Sequence, residues 1–237
     1  MNNKLKEAFV LGIFLFLGFS ALGYFIAASP AKFRQYERTV NVKGLSEREV
    51  PADVVIWPIR FSRASNDLSE MYQLLESDAG QITALLGMHG FADSDVSVTP
   101  PFVTDKIAQH YGNQNIELRY TAQQTVTVYS KDVERVRRSM RSLAQLGKNG
   151  IVFVGHARDN STEYIFTGLN ELKPEMVEEA TRKAREVAEK FAIDSDSKLG
   201  KIKSARQGQF SVTSRDKNNP HIKKVRVVST IEYYLSD

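Results

Sequence analysis

Leu118-Arg119-Tyr120-Thr121-Ala122-Gln123-Gln124-Thr125-Val126-Thr127-Val128 alternates along its whole length. Leu118, Tyr120, Ala122, Gln124, Val126 and Val128 share one side at a period of two. Arg119, Thr121, Gln123, Thr125 and Thr127 share the other. A strand with one dry and one wet face belongs to an antiparallel sheet covered on one side, because a parallel sheet is normally buried on both. This stretch therefore points to an α+β protein.

The flanking segments agree. Upstream, Val40 and Val42 begin a strand expected to break at Lys43-Gly44, and Glu49 to Phe61 reads as one long strand. In it Val55, Trp57, Ile59 and Phe61 lie on one face, with Val54 and Ile56 on the other. Asp67 opens a helix with Glu70 three residues on, a capping-box pattern, and Gly90 stops it. Leu68, Met71, Tyr72, Leu75, Ala79, Ile82 and Leu86 form its apolar stripe. Val96 to Val103 is a strand whose Pro100-Pro101 marks an edge or a bulge, since proline donates nothing to a ladder. Downstream, Ser130 or Asp132 opens a second helix with Val133, Val136, Met140 and Leu143 inward and Gly147 near its end. Ile151 to Val154 is a short strand.

A third helix is expected over Asn170 to Phe191, with Pro174 in its first turn and Val177, Ala180, Ala184, Val187, Ala188 and Phe191 inward. Its alanines let it approach a sheet closely. Strands Lys201 to Phe210 and Ile222 to Leu235 flank a polar turn and end the chain. Hairpins mixed with helices predict a two-layer body, mostly antiparallel sheet with helices packed on one face, in two α/β subdomains.

Residues Phe9 to Ala28 carry no charge and directly follow Lys4, Lys6 and Glu7. Their length matches the roughly 20 residues a helix needs to cross a bilayer. A cleaved secretory signal is the competing reading, but its apolar region is usually shorter. Pro30 also directly follows the best small-residue cleavage pattern, Ala27-Ala28-Ser29. An uncleaved signal anchor is the favoured reading. Basic residues flank both ends, so charge alone does not orient it.

The formal charge of +4 arises from 32 basic and 28 acidic residues, too small an excess to mark a nucleic-acid binder. Cysteine is absent, which excludes disulfides, thiolate zinc sites and cysteine nucleophiles. A 42% hydrophobic content suits a folded body.

No motif carries catalysis. His89, His110, His156 and His221 are separated by 20 or more residues, with no metal-ligand spacing. Phosphate loops, Gly-x-Gly-x-x-Gly and Gly-x-Ser-x-Gly are absent. Two Asp-Ser-Asp stretches, at Asp93–Asp95 and Asp194–Asp196, lack the turn glycine and terminal glutamate of a calcium loop and suit turns and caps. Arg137, Arg138 and Arg141 share the polar face of the second helix and are the candidate anion-binding residues. No cofactor, metal or enzymatic activity is expected, and nucleic acid is not an expected partner.

The ordered set Val40-Asn41-Val42-Lys43-Gly44, Glu49-Val50-Pro51-Ala52-Asp53, Gly90-Phe91, Tyr120-Thr121-Ala122, the alanine-spaced helix 177–191 and Leu199-Gly200-Lys201-Ile202 resembles the SIMPL domain family over residues 38–236. Pro51-Ala52-Asp53 departs from the Pro-Asp of many members. The resemblance implies a bacterial inner-membrane protein crossing once, with its N-terminus inside and its body in the periplasm. It also implies homo-oligomers, envelope-protein partners and a link to oxidative-stress protection, and it supplies no catalytic residues. The expected organisation is a cytoplasmic N-terminus at 1–8, a transmembrane signal anchor at 9–28, a tether at 29–37 and the body at 38–236.

Overall fold

A computed structural model describes Phe9 and residues 11–24, 38–109, 117–155 and 161–236. Helix α1 occupies residues 11–24, and its side chains are exposed all round. Among the described residues no helix is both long and apolar enough to cross a membrane. Helix α1 covers part of the run expected to span at 9–28. The rest of that run, 25–28, lies outside the described residues, as do 1–8 and the tether at 29–37.

Beyond α1 the order is β1 Thr39–Pro51, β2 Val54–Ser65, α2 Leu68–Met88, β3 Val96–Val98, β4 Phe102–Asp105, the single turn α3 Lys106–Gln109, β5 Tyr120–Ser130 and α4 Val133–Lys148. Then come β6 Val152–Phe153, β7 Glu163–Ile165, α5 Leu169–Asp194, β8 Lys198–Gln207, β9 Ser211–Ser214 and β10 Ile222–Ser236. This is an α+β fold in two compact units. The first unit joins Met1–Arg48, Leu172–Ser211 and Val225–Asp237; the second joins Glu49–Glu171 and Val212–Lys224.

The four-stranded sheet runs β1-β10-β8, with β9 also on β10. In the first unit α5 lies on it through Met176, Ala180, Ala184, Ala188 and Ala192, all buried. Spacing by four keeps these residues on one helical row, and their small size brings the helix backbone down to the strand. Gly44 is where the two meet: a Cβ built there falls 1.8 Å from the Ala180 carbonyl oxygen. This corrects two expectations. Lys43-Gly44 does not break a strand, because β1 runs through it and the glycine serves close approach. Val187 and Phe191 are exposed, since the alanine row, not the bulkier residues, faces the sheet. The helix also starts earlier than expected, which places Pro174 inside it.

The expected long strand from Glu49 to Phe61 is two strands. Ala52 N–H donates to the His221 carbonyl at 2.8 Å, while Asp53 N–H donates to the Ile165 carbonyl at 2.9 Å. Consecutive amides thus serve different sheets, and the chain changes sheet at Ala52-Asp53. The Asp53 carboxylate fixes the switch by accepting from Thr167 N–H at 2.9 Å and Thr167 Oγ1 at 2.8 Å.

The six-stranded sheet of the second unit runs β3-β5-β2-β6, with β4 also on β5 and β7 on β2. Strands β2 and β5 pair antiparallel from Val55↔Ser130 to Ser65↔Tyr120. Val55, Trp57, Ile59, Phe61, Ala122, Val126 and Val128 on one face meet Met71, Leu75, Ile82 and Leu86 of α2 and Val133, Val136 and Leu146 of α4. Burying each large aliphatic or aromatic side chain contributes about 1.5–3 kcal/mol.

Leu68 and Tyr72, expected inward, are exposed on the outer side of α2. The nearly buried Asp78 of α2 holds Arg63 of β2 through both carboxylate oxygens, at 2.5 and 2.7 Å. Asp67 caps α2 by accepting from Glu70 N–H at 2.9 Å, but the Glu70 carboxylate takes Ser65 Oγ at 2.7 Å rather than closing a capping box. Gly90 ends the helix at φ +83°, a conformation that favours glycine.

Candidate functional site

Among the described residues of the second unit, α2 and α4 pack on one face of its sheet, and the strand registers define the opposite face. Val152, Ser62, Gln123 and Phe102 make one row across four strands. Arg60 opposite Thr125 makes the next, then Pro58, Thr127 and Ser97. Glu163, Ile56 and Tyr129 follow. The middle is polar and half-buried. Its margins carry exposed apolar groups: Phe102 at 71%, Val152 at 58% and Tyr129 at 49%.

Arg60 projects from the centre of this face, and Glu163 lies near one end. Neither has a partner of opposite charge within 4 Å among the described residues. Thr121 Oγ1, on the same face, is buried and unpartnered. At the margin Arg119 forms a fork on Asp105, at 3.1 and 2.8 Å, and lies 4.8 Å from the Tyr120 ring centroid. The Arg119 guanidinium holds the Asp105 carboxyl below its ordinary value.

The surface combines a polar, half-buried middle holding an arginine with exposed aromatic and aliphatic groups at its margins. The reading of residues 118–128 located the wet face but missed Arg60, Phe102 and Val152. The period-two pattern of Ile56, Pro58, Arg60 and Ser62 on β2 carried that signal.

The predicted anion-binding residues lie on α4. Arg137 is tied to Glu134 at 2.7 Å, while Arg138 and Arg141 are exposed and have no acidic partner within 4 Å among the described residues. Arg135 is absorbed structurally, donating to Asp132 Oδ2 at 3.1 Å and to the Gly90 carbonyl at 2.7 Å.

His221 lines a cleft of about 510 Å³ with Pro51, Ala52, Lys131, Asp132 and Glu134. Its ring meets Tyr164 edge-on, centroids 6.0 Å apart. Burial, then the nearby Arg137 charge, lowers its pKa. His110 and His156 lie outside the described residues. Asp93–Asp95 form a short 3-10 turn, and Asp196 adopts φ +49° beyond α5. Among the described residues no three His, Cys, Asp or Glu side chains gather as a metal site would require.

With this geometry in view, comparison with protein-family models matches residues 40–229 to SIMPL, a family described as "Protein of unknown function (DUF541)". The match spans most of the chain, and the protein belongs to the SIMPL family. No curated protein matches it.

Proposed function

We propose that this SIMPL-domain protein is a non-enzymatic component of the bacterial envelope. Residues 9–28 anchor it in the inner membrane, the body lies in the periplasm, and it acts by assembling with copies of itself. The observation that carries assembly is the face of the six-stranded sheet that no helix covers among the described residues.

That face is self-complementary. Arg60 on β2 and Glu163 on β7 stand one row to either side of the Pro58–Thr127 row, about 14 Å apart along the strand direction at roughly 3.4 Å per residue. A two-fold axis crossing the strands at the Pro58–Thr127 row brings Arg60 of one copy over the Ile56–Glu163 row of the other. Each charge then gains one partner, and the pair forms twice, as a two-fold interface requires. The edges of the six-stranded sheet are poorer candidates. Strands β3, β4, β6 and β7 are two to four residues long, and short edges discourage strand addition. The final strand lies between β1 and β8.

Anchoring is supported by α1, whose phenylalanines and leucines are exposed on every side, the pattern of a helix made for an apolar surrounding. The stress-protection role and envelope partners rest on the family resemblance.

The test is the mass of the full chain in mild detergent by light scattering, with bound detergent subtracted. A uniform oligomer that falls to monomer in the double variant Arg60→Glu, Phe102→Asp supports the reading. A monomer at all concentrations overturns self-assembly, and capture of a distinct envelope protein by the same face would move the role to partner binding.

A further inference from the structure

The first unit carries a groove with an apolar floor and a cationic rim. One helix about 10 Å across covers roughly two strands at 4.8 Å spacing. Helix α5 sits over β1 and β10, so β8 is left beside it, exposed along almost its whole length. A cleft of about 580 Å³ opens there and adjoins a second of about 200 Å³, the two sharing Thr181 and Ile202. The combined space falls within the range of small-molecule sites.

Strand β8 is shaped for this groove. Its pairing with β10 slips twice, between Glu232 and Tyr233 and again between Tyr233 and Leu235. In a regular strand Gly200, Lys201 and Ile202 would alternate faces. The bulge between the Tyr233↔Ile202 and Leu235↔Leu199 pairs falls at Gly200 and Lys201, and all three residues line the cleft. Ile202 is half exposed, while Tyr233 beneath it is 3% exposed.

Opposite them α5 supplies Arg182 and Arg185, exposed cations whose only ion pairs among the described residues are i,i+4 contacts at 4.0 and 3.4 Å. Lys201 has no acidic partner within 4 Å among the described residues. Glu178 is the one carboxylate in the lining, against three cations. Burial raises the Tyr233 phenol above its ordinary value, and the Arg185 charge acts in the opposite sense.

We infer that this groove binds a single-chain anionic amphiphile, its acyl chain along Ile202 and Tyr233 and its carboxylate head between Arg185 and Lys201. Charge complementarity selects the head, because a carboxylate replaces the weak intrahelical partner of Arg185 and gives Lys201 a partner it lacks. The apolar floor selects the chain, because a polar anion alone leaves that floor wet.

The experiment uses the full chain in phosphatidylcholine nanodiscs, with hydrogen exchange of residues 178–185 and 198–207 as readout. Decanoate, decanol and inorganic phosphate are the probes. Decanoate is expected to protect both segments, with affinity lost about tenfold on Arg185→Gln and again on Lys201→Gln. Both positions are exposed, so these variants keep the fold, and Ile202→Asp provides an independent loss. Equal protection by decanol would reduce the site to an apolar patch. Equal protection by phosphate would reduce it to an anion site, and no protection by decanoate overturns the inference.

Discussion

The two units bury their sheets in opposite ways. In the first, one helix lies close to the strands through a row of alanines and a glycine. In the second, two helices stand off on large side chains, with Met71, Leu75, Ile82 and Leu86 meeting Trp57 and Phe61. Alanine contact brings backbones together and gains little apolar area per residue. Large side chains gain area and fill a thicker layer. The first unit should therefore fail when something is added, and the second when something is removed.

The largest effect expected is in the second unit. Phe61 is fully buried, and Phe61→Ala should cost about 4 kcal/mol, measured by denaturant unfolding. A cost below about 1 kcal/mol would mean that this core collapses around cavities and would erase the contrast.

Gly44→Ala tests the first unit by addition. The added carbon meets backbone, which cannot rotate away, so a loss of about 3 kcal/mol is expected. Hydrogen exchange should locate the loosening in α5 and β1. Unchanged protection there would show that the helix shifts freely and that the alanine row is not a fitted contact.

Asp78→Ala strips the partner from Arg63 and should cost about 3 kcal/mol, because it leaves a half-buried guanidinium unpaired. Replacing both residues by Met and Leu should recover much of that loss, and a double-mutant cycle reads the coupling.

Acid separates the units further. Lys183 and the buried Ser46 hold the Glu179 carboxyl down to about 2, from an ordinary value of 4.5. A carboxyl depressed on folding stabilises fully above its unfolded value, and that contribution disappears as pH falls through the folded value. The first unit should therefore lose stability between about pH 4.5 and 2, and Glu179→Gln should flatten that slope in an acid titration followed by hydrogen exchange.

The smallest effect on folding is expected at the uncovered face. Phe102→Ser should change unfolding free energy by no more than about 0.5 kcal/mol. Set beside Phe61 in the same sheet, it distinguishes a packed face from one available to a partner.

Much of this was legible along the chain. Alternation at 118–128 set an antiparallel sheet with one dry face, and Asp67, Asp132 and Gly90 marked helix ends that the structure keeps. These signals are local: a period of two, a carboxylate near free amides, and a glycine at positive φ each act within a few residues. Arg137, Arg138 and Arg141 were legible as one helix face too. That Arg137 would turn to Glu134 depended on a side-chain choice no spacing reveals.

The sequence by itself determined the composition class, the apolar run at 9–28, the absence of thiol chemistry and the α+β pattern of the body. Tertiary structure alone decided that Gly44 lies inside a strand, that the chain changes sheet at Ala52-Asp53, and that Arg60 stands centrally on the face opposite α2 and α4. Those features depend on residues far apart in sequence. Gly44 meets Ala180, Asp53 meets Thr167, and Phe102 joins the row of Ser62 through the register of β5. Periodicity tells each strand which side is dry, but only the packed fold tells it what covers that side.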